Sequence, residues 1–179
     1  MTSSTPDRRA RRPSDDDTTA IRPIGPDDLA RVLQINQQNV PEVGSVDADE
    51  LAFLVDESAL PLATWCSDEL AGFCLVFAPG SPYESENYRW FAEHSPSAWY
   101  LDRVAFDARF QGRGLGRRLY AEVDRAMRDA EPPPPALTLE VNADPPNEAS
   151  LAFHARLGFA EVGRRTSHGF VVSLMQRDL

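Results

Sequence analysis

Apolar side chains recur along this chain in two rhythms, one of period two and one near three and a half, and their order predicts the fold. Residues 18–24 read as a first strand, and Pro26-Asp27-Asp28 then opens a helix with acidic residues at the positive end of its dipole. Leu29, Val32, Leu33 and Ile35 give that helix one apolar face, and a second helix fits 48–57 with Leu51, Leu54 and Val55 inward. Two β-rich runs, 61–67 and 70–78, flank Asp68 and Glu69 and suit antiparallel strands joined by a tight turn. The stretch 79–96 breaks the rhythm and reads as a loop or short helix, carrying Tyr83, Tyr88, Trp90, Phe91 and several carboxylates. A strong strand ends near Phe106, and from Gly114 a helix of about four turns places Leu115, Leu119, Val123 and Met127 on one side. Pro132 to Pro135 must end it, because proline removes an amide donor and clashes with the preceding turn. A buried-type strand over 136–141, a helix over 147–157 closed by Gly158, and a final strand pair complete the order. Antiparallel pairs in the first half and β-α-β crossovers in the second predict an α/β (α+β) fold with one mixed sheet.

Composition narrows the reading. With 179 residues, 42% apolar and 26% charged, the chain can bury a sizeable core, which excludes disorder throughout. Residues 1–18 hold almost no large apolar side chain, and Arg8, Arg9, Arg11 and Arg12 are followed by Asp15, Asp16 and Asp17; they read as a disordered tail before a single domain over 19–179. The net charge of −10 repels a phosphate backbone and disfavours nucleic acid as a partner. No apolar run approaches the ~18 residues that would span a bilayer and no secretory signal is visible, so no membrane partner and a cytoplasmic location are expected. Cys66 and Cys74 match no metal-ligand or CxxC spacing and read as reduced structural thiols; no metal is expected.

The chemistry concentrates in 104–120, where a strand (Val104, Ala105, Phe106) runs into Gln111-Gly112-Arg113-Gly114-Leu115-Gly116-Arg117 and directly into a helix. Glycines there let backbone N–H groups approach an anion at the positive end of the helix. Of the 18 basic residues, all arginine, six (Arg109, Arg113, Arg117, Arg118, Arg125 and Arg128) sit beside this turn. In an acidic protein that predicts an anion site. GxxxxGK[ST] and G-x-G-x-x-G are both absent, which excludes a P-loop and the dinucleotide fingerprint.

Gln111, Gly114 and Gly116 after a strand resemble the Q/R-x-x-G-x-G/A motif of the GNAT superfamily of N-acetyltransferases. A second block, Leu139-Glu140-Val141-Asn142, then Asn147, then Leu157-Gly158-Phe159, resembles the LEV…N…A…Y…GF block of the same superfamily, nearest to its ribosomal-protein alanine N-acetyltransferases. The resemblance covers about 99–162. It implies a mostly antiparallel central sheet with helices on both faces and strands splayed around acetyl-CoA, the loop amides on the pyrophosphate and Val104 to Phe106 along the pantetheine arm.

Acyl transfer from a thioester to an amine needs a base, an oxyanion donor and an acid. The resemblance puts the base at Glu140, with Asp102 on the neighbouring strand as the rival. It puts the acid at His154, where the family usually has tyrosine, seven residues after Asn147 and so on the same helix face. Histidine, titrating nearer neutrality than tyrosine, is a suitable donor to a thiolate. Asp144-Pro145-Pro146 lengthens the connection after Glu140, and together with the aromatic insert suggests an acceptor cleft with its own walls; the aromatics serve equally as cover for the core. Glu84, Glu86 and Glu93 would suit a cationic amine. The expectation is direct acetyl transfer from acetyl-CoA to the primary amine of a small molecule. The alternatives are a protein N-terminus as acceptor and a non-catalytic CoA-binding module. A sheet-edge homodimer follows from the resemblance alone.

Overall fold

The computed structural model describes residues 18–179, so residues 1–17, the bulk of the expected tail, lie outside the described residues. Seven strands, β1 (Thr19–Pro23), β2 (Leu60–Cys66), β3 (Glu69–Phe77), β4 (Trp99–Phe106), β5 (Ala136–Asp144), β6 (Ala160–Ser167) and β7 (Phe170–Asp178), form one sheet in the order β1-β2-β3-β4-β5-β7-β6. All neighbours are antiparallel except β4 and β5, which are parallel. The helices are α1 (Leu29–Gln38), α2 (Ala48–Glu57), α3 (Glu86–His94), α4 (Leu115–Arg128) and α5 (Glu148–Arg156). The irregular stretch 79–96 thus resolves into a loop and α3, whose first amides are capped by the Ser85 hydroxyl.

The sheet carries a core on each face. On one, Val32, Ile35, Leu51, Leu54, Tyr88 and Phe91 from α1, α2 and α3 pack on Phe73, Leu75, Phe77, Tyr100 and Leu174. On the other, Leu119, Tyr120, Val123 and Met127 of α4 pack on Cys74, Val76, Leu101, Leu137, Leu139 and Met175. Covered on both sides, the central strand β3 is buried at all but its first residue, which is why it reads as a continuous apolar run. The edge strand β6 is mostly exposed and polar.

Two irregularities prepare the site. In β4 the register against β3 pairs Leu75 with Arg103 but Val76 with Leu101, leaving Asp102 as a bulged extra residue. A single inserted residue reverses which face each later side chain meets. Before it, Tyr100 lies in the α1–α3 core and Leu101 in the α4 core; after it, Ala105 lies in the α1–α3 core while Val104 and Phe106 lean on the α4 side. The second irregularity is the splay. β4 and β5 pair only at Trp99–Leu137 and Tyr100–Thr138, so beyond them the strands part and leave facing backbone edges over 101–106 and 139–142.

Candidate active site

The parted strands open a cavity of about 730 Å³. Asp102, Val104, Ala105, Phe106, Gln111, Gly112, Gly114, Leu115, Gly116, Arg117, Glu140, Asn147 and His154 all line it. Arg113 does not; it lines a neighbouring hollow with Cys66, Glu69 and Arg109, its guanidinium 4.0 Å from the Cys66 sulfur. The cavity is walled further by Gln38 at the end of α1, by Asn39, Glu42 and Val43 after it, and by Ser150 and Arg156 of α5, which the sequence reading missed.

At one end the chain turns sharply into α4. Gly112 and Gly114 hold φ of 75° and 77°, a left-handed backbone that side chains with a Cβ rarely adopt. The first helical bond at this terminus runs from Arg118 N to Gly114 O, so the preceding amides of Leu115, Gly116 and Arg117 have no partner within the helix. At Gly116 an added Cβ would stand 3.1 Å from the Phe153 ring, which keeps the α4 entrance close against α5. The arginine cluster is partly consumed by ion pairs, Arg109 with Asp107 and Glu69 and Arg125 with Glu122 and Asp129, and by a hydrogen bond from Arg118 to the Thr19 hydroxyl. Arg117, and Arg156 from α5, are the cations of the cavity's helix-terminus end.

At the splay, Glu140 points to the α1–α3 side. Its Oε1 accepts from Asn87 Nδ2 at 3.0 Å and its Oε2 from the Tyr100 hydroxyl at 2.7 Å. Burial, and then the negative charge of Asp102, push its carboxyl up to about 7 against the pull of those two hydrogen bonds. Asp102 accepts from the Tyr83 hydroxyl at 2.6 Å and from Arg103 Nε at 2.8 Å. Arg103 is itself buried and donates onward to Asn36 Oδ1 at 2.9 Å. It is Asp102, then, that takes an arginine, while Glu140 is held by neutral donors.

His154 lies on the other side of the sheet, 3% exposed, with Tyr120, Phe153 and Phe159 set edge-on around it. Its Nδ1 is 2.8 Å from the Ser150 carbonyl, which only accepts, so Nδ1 carries the hydrogen. Nε2 then accepts from the Tyr120 hydroxyl at 2.7 Å. Burial, with a further push from Arg177, lowers its pKa to about 4. The near-neutral histidine expected from the sequence is therefore replaced by a ring that stays uncharged at neutral pH. Asn147 caps α5 by accepting from Ser150 N at 3.0 Å.

The aromatic insert serves the core. Tyr88 and Phe91 are buried in it, Trp90 lies against Gly163 and stacks on His94, and Tyr83 stacks on Phe77. None of the four lines the cavity, nor do Asp144, Pro145 and Pro146, nor Glu84, Glu86 and Glu93, so the separately walled cleft is not how this fold uses them. Glu86 pairs instead with Arg165.

A sequence model described as acetyltransferase (GNAT) family matches residues 29–159. Solved structures similar to the chain include Ard1 from Thermoplasma volcanium (20% identity, TM-score 0.72, covering 90% of this chain and 97% of that one). Arabidopsis thaliana NAA60 in complex with acetyl-CoA is similar at 21% identity and TM-score 0.70, over 90% of this chain and 100% of that one. Ribosomal-protein-alanine N-acetyltransferase from Brucella melitensis is similar at 24% identity and TM-score 0.67, over 89% and 99%. No curated protein matches the chain in sequence. At these identities the solved structures speak for the fold.

Proposed function

The chain belongs to the GNAT family of acetyltransferases, and from that premise we propose that it moves the acetyl group of acetyl-CoA directly to the primary amine of a small molecule. The observation that carries this reading is the continuity of one cavity from the left-handed turn and free amides of α4, along the open backbone edges of the parted strands, to a carboxyl that titrates near neutrality.

In this reading the amides of 114–117, the turn from Gln111 to Gly114 and the Arg117 charge take the pyrophosphate, as a helix N-terminus suits an anion. Arg113 serves from the neighbouring hollow, on the outer side of the turn. Val104, Ala105 and Phe106 offer backbone partners to the pantetheine arm, and Asn147 fixes the start of α5 beside it. Glu140 removes a proton from the acceptor ammonium, directly or through water. The nitrogen attacks the thioester carbonyl, the C–N bond forms, and the charge gathering on oxygen is met by a backbone N–H of the open β4 edge. The C–S bond then breaks and the sulfur leaves with its electron pair. His154, its Nδ1 hydrogen on the Ser150 carbonyl and its Nε2 accepting from Tyr120, has no proton to offer the departing sulfur and is not the acid; it holds Tyr120 and α5 against the cavity, and the proton that completes the CoA thiol comes from the attacking nitrogen. Gln38, Asn39, Glu42 and Val43 form the acceptor side of the cavity. We take the reaction to be cytoplasmic; among the described residues no helix is long and apolar enough to cross a membrane.

The second reading, a peptide N-terminus as acceptor, draws on the 139–147 block and on the fold shared with the Brucella melitensis enzyme. Thiol release from acetyl-CoA, followed with a panel of amino acids, polyamines, aminoglycosides and N-terminal peptides, tests both. Turnover with a small amine that collapses in Glu140→Gln supports the first reading, turnover confined to peptides supports the second, and CoA binding without turnover on any acceptor leaves a non-catalytic module.

A further inference from the structure

Two carboxylates, Glu140 and Asp102, flank one hydroxyl. Tyr100 has a single proton to give, and its oxygen lies 2.7 Å from Glu140 Oε2 but 3.5 Å from Asp102 Oδ1, so the hydrogen bond belongs to Glu140. Asp102 does not need it, because Tyr83 and Arg103 already donate to its two oxygens at 2.6 and 2.8 Å. Arg103 is locked in turn: Asn36 Oδ1 and the Gly44 carbonyl, on and after α1, take its NH1 at 2.9 and 3.3 Å. The bulge is what brings this about, since it places Tyr100 and Arg103, three residues apart on one strand, on the same side of the sheet with Asp102 between them.

We infer that Asp102 is a positioning residue, an anion fixed by Arg103 and Tyr83 that leaves Glu140 as the group which takes and releases the proton. The inference rests on the reading of Glu140 as the base and adds what makes it one. A carboxylate tied to an arginine keeps its charge, and a fixed negative charge beside a second carboxyl disfavours ionisation of that second group. Glu140 is thereby set to hold its proton to higher pH. Asn87 fits both of its states. It now donates Nδ2 to Glu140 Oε1, while its own buried Oδ1 has no partner; turned over, the amide accepts the proton of the neutral acid. The titratable and charged groups around Glu140 are Tyr100, Asp102 and Arg103 of β4, Tyr83 of the loop before α3, and Glu42 and the uncharged His154 across the cavity; α3 offers Asn87, and β7 sets Leu174 opposite it.

The test is a titration of the whole protein labelled with ¹³C at glutamate carboxyls, the Glu140 signal identified by its loss in Glu140→Gln, alongside the pH profile of kcat/KM. Asp102→Asn is expected to lower the Glu140 midpoint by about one pH unit, and Tyr100→Phe to raise it by about as much. Damage to the fold alone does not produce shifts of opposite sign. Tyr83→Phe, which keeps the ion pair, raises the midpoint by about half a unit because Asp102 then draws on the Tyr100 hydroxyl; it serves if Asp102→Asn does not fold. A midpoint unmoved by Asp102→Asn, or by Tyr83→Phe in its place, overturns the inference. A midpoint that moves as expected while the kcat/KM limb stays put upholds the effect of Asp102 on Glu140 and defeats the reading of Glu140 as the base.

Discussion

The two ionisable groups that line the cavity at the splayed strands, His154 buried and Glu140 half-buried, are both withdrawn from water, and that moves them in opposite directions. It raises the Glu140 acid to about 7 and lowers the His154 base to about 4, because in each case it disfavours the charged form. The surroundings make the difference. Glu140 lies in a web of polar side chains that includes a neighbouring anion, so its titration falls within the range in which amines are handled. His154 sits in an aromatic box with each nitrogen paired inside the protein, and its titration falls below that range. A site of this kind acquires one proton-exchanging group and one fixed neutral group from the same physical cause.

The sharpest break of the comparison is in rate. Glu140→Gln is expected to lower kcat by ~10²–10⁴, the usual range for a lost general base, read from thiol release with a good acceptor. Stability against pH comes next. Glu140 has an ordinary value of 4.5 and a folded one of about 7, so its stabilising contribution is full below pH 4.5 and is lost as pH rises to about 7. His154, ordinarily at 6.5 and about 4 when folded, contributes fully above pH 6.5 and loses that contribution as pH falls to about 4. Between these limits the two slopes oppose each other, each at most about 1.4 kcal/mol per pH unit. Urea unfolding is therefore expected to show stability rising with pH in Glu140→Gln relative to wild type, and falling with pH in His154→Gln. Parallel slopes in the two variants would sink the comparison.

Smaller effects sharpen it. His154→Gln is expected to cost no more than about tenfold in kcat, through loosened packing of Tyr120 and α5 on the cavity, and to leave the acid limb of the pH profile in place. Loss of that limb would mean that the imidazole ionises during turnover after all. Tyr120→Phe removes the donor to His154 Nε2 and is expected to cost about 1–2 kcal/mol in thermal or urea unfolding, with little change in rate.

Much of this was readable from the chain. The turn from Gln111 to Gly116 was visible because glycines and a strand-to-helix junction leave local marks, and the Glu140 block through the resemblance it carries. The order of elements along the chain followed from apolar rhythm, with 79–96 the one stretch left open. The partners of Glu140 left no such mark. A tyrosine at position 100 in an apolar strand reads as core, and it is core; only the bulge shows that its hydroxyl shares a side of the sheet with Arg103, and a pattern of period two cannot register an inserted residue. Asn87 was lost in the irregular insert, although it belongs to a capped helix. The His154 shift comes from burial and from Arg177, 23 positions away, which no local spacing reveals.

The splay also has a mechanical meaning. Strands β1 to β4 form one plate and β5 to β7 another, and two paired positions, with the Thr138 hydroxyl on the Trp99 carbonyl, are the seam between them. A molecule bonded to both open edges adds rungs to that seam and fastens the two plates together. Such a ligand couples their unfolding, so amide exchange slows at the outer strands, far from anything it touches. The sheet is two leaves on a short spine, and the cargo is the clasp.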